Sequence, residues 1–230
     1  MIPLRDENPS RTVPVVTRLI LAANLAAFLY ELALGQGLGP FLSDWGLVPL
    51  RATRALGGEG APLLALASAL TSTFLHAGWL HLVGNLWYLW IFGDNVEDRL
   101  GHAGYLLFYL AAGAASGALH VLVNPLSPVP TIGASGAIAG VLGAYLVMFP
   151  RARVITLVPL FVFFKVMALP AVLVLGLWFV FQFFSGALAL AYATGTSGGV
   201  AWWGHIGGFA FGALVGLASG RRRGPGSVDR

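Results

Sequence analysis

Trp203-Gly204-His205-Ile206-Gly207-Gly208-Phe209-Ala210-Phe211-Gly212-Ala213-Leu214-Val215-Gly216 is the stretch on which the fold turns. Glycines at 204, 208, 212, 216 and 220 recur every four residues and line one helix face. Small residues at this spacing let two membrane helices approach closely. A second stretch, Thr131-Ile-Gly-Ala-Ser-Gly-Ala-Ile-Ala-Gly140, offers Gly136 and Gly140 as a matching face. Packing the two faces together would set His205 beside Ser135.

Composition agrees with a membrane bundle. Of 230 residues, 57% are hydrophobic and 10% charged, and the mean hydropathy is +0.81. A soluble domain carries roughly a quarter charged residues, so charge here is too sparse to coat a globule and the bilayer is the expected solvent. The length suits one helical bundle. The lack of cysteine excludes disulfides, thiol catalysis and cysteine-ligated metal. The formal charge of +4 does not point to nucleic acid. The basic residues are scattered between apolar spans, and the one cluster, Arg221-Arg222-Arg223, follows the last span as a topological anchor would.

A span needs about 20 apolar residues. The expected fold is therefore an all-α polytopic bundle of six transmembrane helices, at roughly 14–34, 79–96, 104–123, 134–149, 168–191 and 203–219. This divides the chain into a cytoplasmic segment 1–13, a membrane domain 14–219 with a long first loop at about 35–78, and a basic cytoplasmic tail 220–230. The loop is expected to hold short interfacial helices around Phe41–Trp45 and Leu63–Leu70. A cleaved signal peptide is the weaker reading of the first span, which is long and lacks a clear small-residue cleavage site. Residues 154–167 read as an interfacial approach to the fifth span, with a seventh span as the alternative. Placing both termini inside puts eleven of the 13 Lys and Arg residues on that side and leaves only Arg51 and Arg54 outside.

In this orientation His81, Asn85, Ser135 and His205 all fall near helix starts at one depth, toward the outer face. From Ser135 to Phe149 the helix spans about 22 Å, short of the roughly 30 Å hydrocarbon core, so Ser135 should start below the surface. Irregular backbone at that depth must be buried in protein or line a water-filled cavity. Gly133 is expected to let the turn bend, and Gly136 to leave the hydroxyl approachable. Alone, the motif reads more readily as a serine capping a glycine-rich helix. An intramembrane histidine is costly and usually functional, and the depth it shares with Ser135 favours a dyad. His81 and Asn85, four apart on one face, can both donate to an oxyanion, joined by the Ser135 N–H. His76 is expected to order the loop or a water. A metal site from His76, His81 and His205 is the competing reading; it lacks a carboxylate at that depth and a His-Glu-x-x-His element. His102 and His120 read as interfacial residues.

With these residues in hand, the chain resembles the rhomboid intramembrane serine proteases, particularly the bacterial and archaeal six-span type. The matching pieces are His76-x4-His81-x3-Asn85, Gly93-Asp-Asn-Val-Glu97-Asp-Arg99-Leu-Gly101, Gly133-Ala-Ser135-Gly136 and Gly204-His205-x2-Gly208-x3-Gly212. Met1-Ile-Pro-Leu-Arg-Asp6 and Trp45-Gly-Leu-Val-Pro49 are similar too. The resemblance implies that Ser135 is the nucleophile and His205 the base, with no third acidic residue, and that His81 and Asn85 form the oxyanion hole. It assigns Glu97 and Arg99 a structural role and makes Trp178 and Phe179 candidates for the substrate gate. It implies an enzyme of the cell membrane that opens to the outer side, acts on transmembrane proteins, and uses no cofactor or metal. The Trp-Arg pair many relatives carry before the first histidine is absent, since Ala67-Ser68 stands there, so the family's usual anchor for the first loop is missing. Gly204 stands where alanine is common. The competing classes are a non-catalytic binding protein on the same fold, which typically lacks one or both dyad residues, and a transporter.

Overall fold

The structure, a computed structural model, describes residues 1–191 and 201–220. In chain order these form β1 (Ile2–Asp6), α1 (Val15–Ala33), α2 (Leu38–Trp45), α3 (Pro49–Leu56), α4 (Pro62–Thr71), α5 (Trp79–Leu100), α6 (His102–Val123), α7 (Ser135–Met148), β2 (Arg153–Leu160), β3 (Phe163–Pro170), α8 (Ala171–Ala191) and α9 (Trp202–Gly220). The six long helices stand where six apolar segments were expected. By length and composition α1, α6 and α8 can cross a membrane, and a fourth span is added if α4 and α5, bent by 84° at their junction, count as one. The anchor Arg221-Arg222-Arg223 and the tail beyond Gly220 lie outside the described residues.

At the centre is α7, in which every residue from Gly136 to Tyr145 is buried, packed by α5, α6, α8 and α9. Its closest partner is α9. A Cβ added to Gly208 would lie 2.0 Å from the Gly136 carbonyl oxygen, and one on Gly212 would lie 1.8 Å from that of Gly140. A Cβ on Gly143 would meet the Phe209 carbonyl at 2.1 Å. The two backbones are in direct contact, as the four-residue stripe requires. The close contact continues to Gly216, where a Cβ would lie 3.0 Å from the Val147 side chain; one on Gly220 would meet nothing within 4 Å among the described residues. Gly136 packs against a second helix as well: a Cβ there would strike Ser116 of α6 at 1.9 Å.

The fold is mostly helical but not wholly so. An antiparallel sheet of order β1-β2-β3 closes the end where α7 finishes, with Ile2 opposite Leu157 and Val154 opposite Leu169. Residues 154–167 therefore form no seventh span; they make a hairpin that leads into α8. Arg153-Val-Ile-Thr-Leu-Val158 is rich in β-branched residues, and Val154 and Thr156 are buried at the strand period of two. The N-terminal segment supplies the third strand, tied down where Trp87 of α5 donates to the Pro3 carbonyl at 2.6 Å. Tyr145 of α7 donates to Asp6 at 2.6 Å.

At this same end Glu97 of α5 caps α1. Its carboxylate accepts the Val16 N–H at 2.8 Å and the Thr17 N–H and hydroxyl at 2.7 Å each, at a helix start whose own residues provide no side-chain cap. His102 adds a contact to Glu97 at 2.6 Å, so it belongs to this network and is not merely interfacial. The segment between α1 and α5 is held by Arg51 of α3, whose guanidinium donates to the carbonyls of Ser43, Asp44 and Gly46 at 2.8–3.0 Å. That contact secures the segment without the absent Trp-Arg pair.

Candidate active site

The site forms where α5, α7, α8 and α9 meet near the start of α7. The chain enters α5 through the sharp bend after α4, and the bend is fixed by His76. Its backbone N–H points at the two oxygens of buried Glu31 in α1, each 3.2 Å away. A carboxylate thus does lie at this depth, contrary to expectation, but it serves the backbone. His76 Nδ1 donates to the Phe74 carbonyl at 3.2 Å, leaving Nε2 to accept from the Asn85 amide at 3.0 Å. His76 therefore orients Asn85, with one of the two amide N–H groups still to donate elsewhere.

His81 accepts the Ala77 N–H on Nδ1 at 3.4 Å, which leaves its proton on Nε2. That edge of the ring rests on Gly133. A Cβ at Gly133 would fall 2.7 Å from both Cε1 and Nε2 of His81, and the residue has φ +130°, a conformation natural only to glycine. The Gly133 N–H is pinned to the Ser72 carbonyl at 2.9 Å. Glycine here lets the loop pass under the imidazole and turn into α7.

Ser135 is the first residue of that helix. No side chain caps the helix, and the first helical bond runs from the Ile138 N–H to the Ala134 carbonyl at 2.9 Å. The N–H groups of Ser135, Gly136 and Ala137 thus lack helical acceptors. His205, in the first turn of α9 and 8% exposed, places Nε2 at 2.7 Å from Ser135 Oγ. The close approach of α7 and α9 at Gly136, Gly204 and Gly208 makes this reach available. Gly204 has Ser116 of α6 against it, 3.0 Å from where its Cβ would be.

Two contacts on the imidazole come from α8 and were not anticipated. Gln182 Oε1 lies 2.7 Å from His205 Nδ1, and the Trp178 ring lies 6.0 Å from the imidazole at 34°. Phe179 stacks on Phe209 at 4.5 Å. Trp178 and Phe179, expected at an entrance, are both turned onto α9. The spacing Trp178-x3-Gln182-x3-Gly186 carries the signal for this face, since Gly186 lies against Trp202 and Trp203 one turn further on. His120 of α6, read as interfacial, holds a buried Nδ1 without a hydrogen-bond partner among the described residues. Among the described residues no group of three or more His, Cys, Asp or Glu side chains could hold a metal ion.

A hydroxyl hydrogen-bonded to an imidazole, beside unpaired helix-start N–H groups and two side-chain donors, is equipped for acyl transfer. Comparison with known proteins identifies the family. A family model for the Rhomboid domain matches residues 65–222. The chain is 48% identical over 77 residues to Rhomboid protease GluP of Bacillus subtilis, a match covering 34% of this chain and 15% of that protein. It is 45% identical over 71 residues to Rhomboid-like protein 11, chloroplastic, of Arabidopsis thaliana, covering 31% and 25%. With Presenilin-associated rhomboid-like protein, mitochondrial, of Homo sapiens it shares 32% identity over 130 residues, covering 54% and 34%. These matches span at most about a third of each relative's own length. They reach bacterial and organellar proteins alike and single out neither type.

Proposed function

The chain belongs to the rhomboid family, and from that premise we propose that this multi-pass membrane protein is an intramembrane serine endopeptidase. Its substrates are other membrane proteins, cut in or near their transmembrane segments. The observation that carries the reading is the 2.7 Å contact between Ser135 Oγ and His205 Nε2 at the start of α7. Ser135 attacks the peptide carbonyl as its proton passes to His205 Nε2. The tetrahedral oxyanion is met by the Ser135 N–H, the Nε2–H of His81 and the free N–H of Asn85. His205 then protonates the leaving amine, and water hydrolyses the acyl-enzyme by the reverse transfer.

Depth supports a membrane setting for this chemistry. The 14 residues of α7 measure about 21 Å, against a hydrocarbon core of about 30 Å, so one end of α7 lies beneath a surface. In our reading all six long helices cross a cell membrane with both termini cytoplasmic, and the site opens toward the outer side. Basic residues crowd the sheet end, where Arg5, Arg151, Arg153 and Lys165 stand. Substrate entry beside α8 would shift Trp178 and Phe179 off α9, which gives a gate at these residues its physical form.

The test is cleavage of a single-span membrane protein by the purified full chain. Activity should vanish in Ser135→Ala and in His205→Ala while both variants keep the wild-type melting temperature. Undiminished cleavage by purified Ser135→Ala would sink the proposal.

A further inference from the structure

We propose that Gln182 is the positioning residue of the site, holding His205 in the one tautomer that can accept the serine proton. The inference rests on the serine protease reading and adds a third member to the pair. A neutral imidazole carries one proton, on Nδ1 or on Nε2. Only with the proton on Nδ1 does Nε2 have a lone pair to take the Ser135 proton. That tautomer needs an acceptor at Nδ1, and Gln182 Oε1 stands there at 2.7 Å. The glutamine is 6% exposed and interrupts an apolar helix face. A buried polar side chain at membrane depth is costly unless it is paired and used.

The choice of an amide has a physical logic. When His205 takes the serine proton, its Nδ1–H becomes a charge-assisted donor and the bond to Gln182 strengthens. A carboxylate would stabilise that cation more, but it would bury a permanent charge in the resting bundle. The amide oxygen orients the ring without that cost. Trp178, one turn earlier on α8, limits rotation of the same ring from its face. Both constraints come from one helix, and α8 is itself fastened to α9 where Trp203 Nε1 donates to the Gly186 carbonyl at 3.3 Å. The base is therefore aligned only while α8 is docked.

Three purified full-length chains test this: wild type, Gln182→Met and Gln182→Glu. Methionine keeps the length of the side chain and removes the acceptor; glutamate keeps an acceptor oxygen. The readouts are the labelling rate of Ser135 by a rhodamine fluorophosphonate and the 15N spectrum of His205, which distinguishes the two tautomers. We expect wild type and Gln182→Glu to hold the Nδ1–H tautomer and label within a few-fold of each other. Gln182→Met should label about 10- to 100-fold more slowly, as loss of one buried hydrogen bond implies, with the Nε2–H form appearing. Equal labelling and an unchanged tautomer in Gln182→Met would overturn the proposal. So would an Nε2–H tautomer in wild type, a result that stands even if Gln182→Met fails to fold. Absence of Ser135 labelling in wild type would instead count against the protease reading, and the tautomer spectrum would still decide the role of Gln182.

Discussion

Two polar clusters lie at opposite ends of α5, and they are built on opposite plans. At the C-terminal end, Glu97 accepts three hydrogen bonds from α1 and one contact from His102. Asp98 accepts the Arg11 N–H and the Thr12 N–H and hydroxyl at 2.7–3.2 Å. These are charged groups saturated by backbone and side-chain donors, and saturation leaves nothing for a substrate. At the N-terminal end, His81, Asn85, Ser135 and His205 are held from one side by Ala77, His76 and Gln182. The other side of His81, Asn85 and the start of α7 keeps donors in hand. Burial and polarity look alike in both clusters; on the proposed function, spare hydrogen-bonding capacity is what separates a structural network from a reactive one.

The comparison predicts that damage at the two ends has different signatures. The largest effect should come from the scaffold that both share. Gly212→Val would drive a side chain into the Gly140 backbone, and we expect loss of the folded protein together with all activity, seen as aggregation on gel filtration in detergent. Next, if Asn85 is an oxyanion donor as proposed, Asn85→Ala should lower kcat by about 10²–10³-fold with little change in melting temperature. A drop in stability with undiminished kcat would erase the distinction between the clusters. At the other end, Glu97→Gln replaces one acceptor oxygen by a donor facing donors. It should cost about 1–3 kcal/mol, read as a lower melting temperature, while activity per folded molecule stays near wild type.

The smallest effect belongs to Asp6 in β1. Burial, opposed by the Tyr145 hydrogen bond, pushes its carboxyl up from 3.8 to about 6. Between these values the folded chain keeps a proton that the unfolded chain has released. Stability contributed by this group is thus full below about pH 4, falls as pH rises, and levels off above about pH 6. Asp6→Asn should flatten that segment of a melting-temperature profile; a profile identical to wild type would show that Asp6 does not govern the docking of β1.

Periodic features were legible in the sequence, and long-range hydrogen bonds were not. The glycine stripe of α9 announced its partner because close packing demands small residues at every turn. The short helix from Ser135 was likewise readable as a count. Gln182 was missed because its neighbours at helical spacing, Trp178 and Gly186, are not polar and do not name its partner, which lies 23 residues away in sequence on α9. The capping by Glu97 was equally hidden, since its acceptor role joins it to backbone N–H groups 80 and 81 residues earlier. The hairpin read as an interfacial approach, with a span as the alternative, because a strand in this composition differs from an apolar helical segment mainly in its length and its β-branched alternation. The Trp178 contact shows the same limit, since aromatic character marked it as important without revealing which neighbour it faced.

The most direct measurement is labelling of the purified protein by a rhodamine fluorophosphonate, with the site read by mass spectrometry. The account predicts one modified residue, Ser135, with the label lost in Ser135→Ala and strongly reduced in His205→Ala. Label that persists in Ser135→Ala, or a wild-type chain that is folded and takes up none, would contradict it.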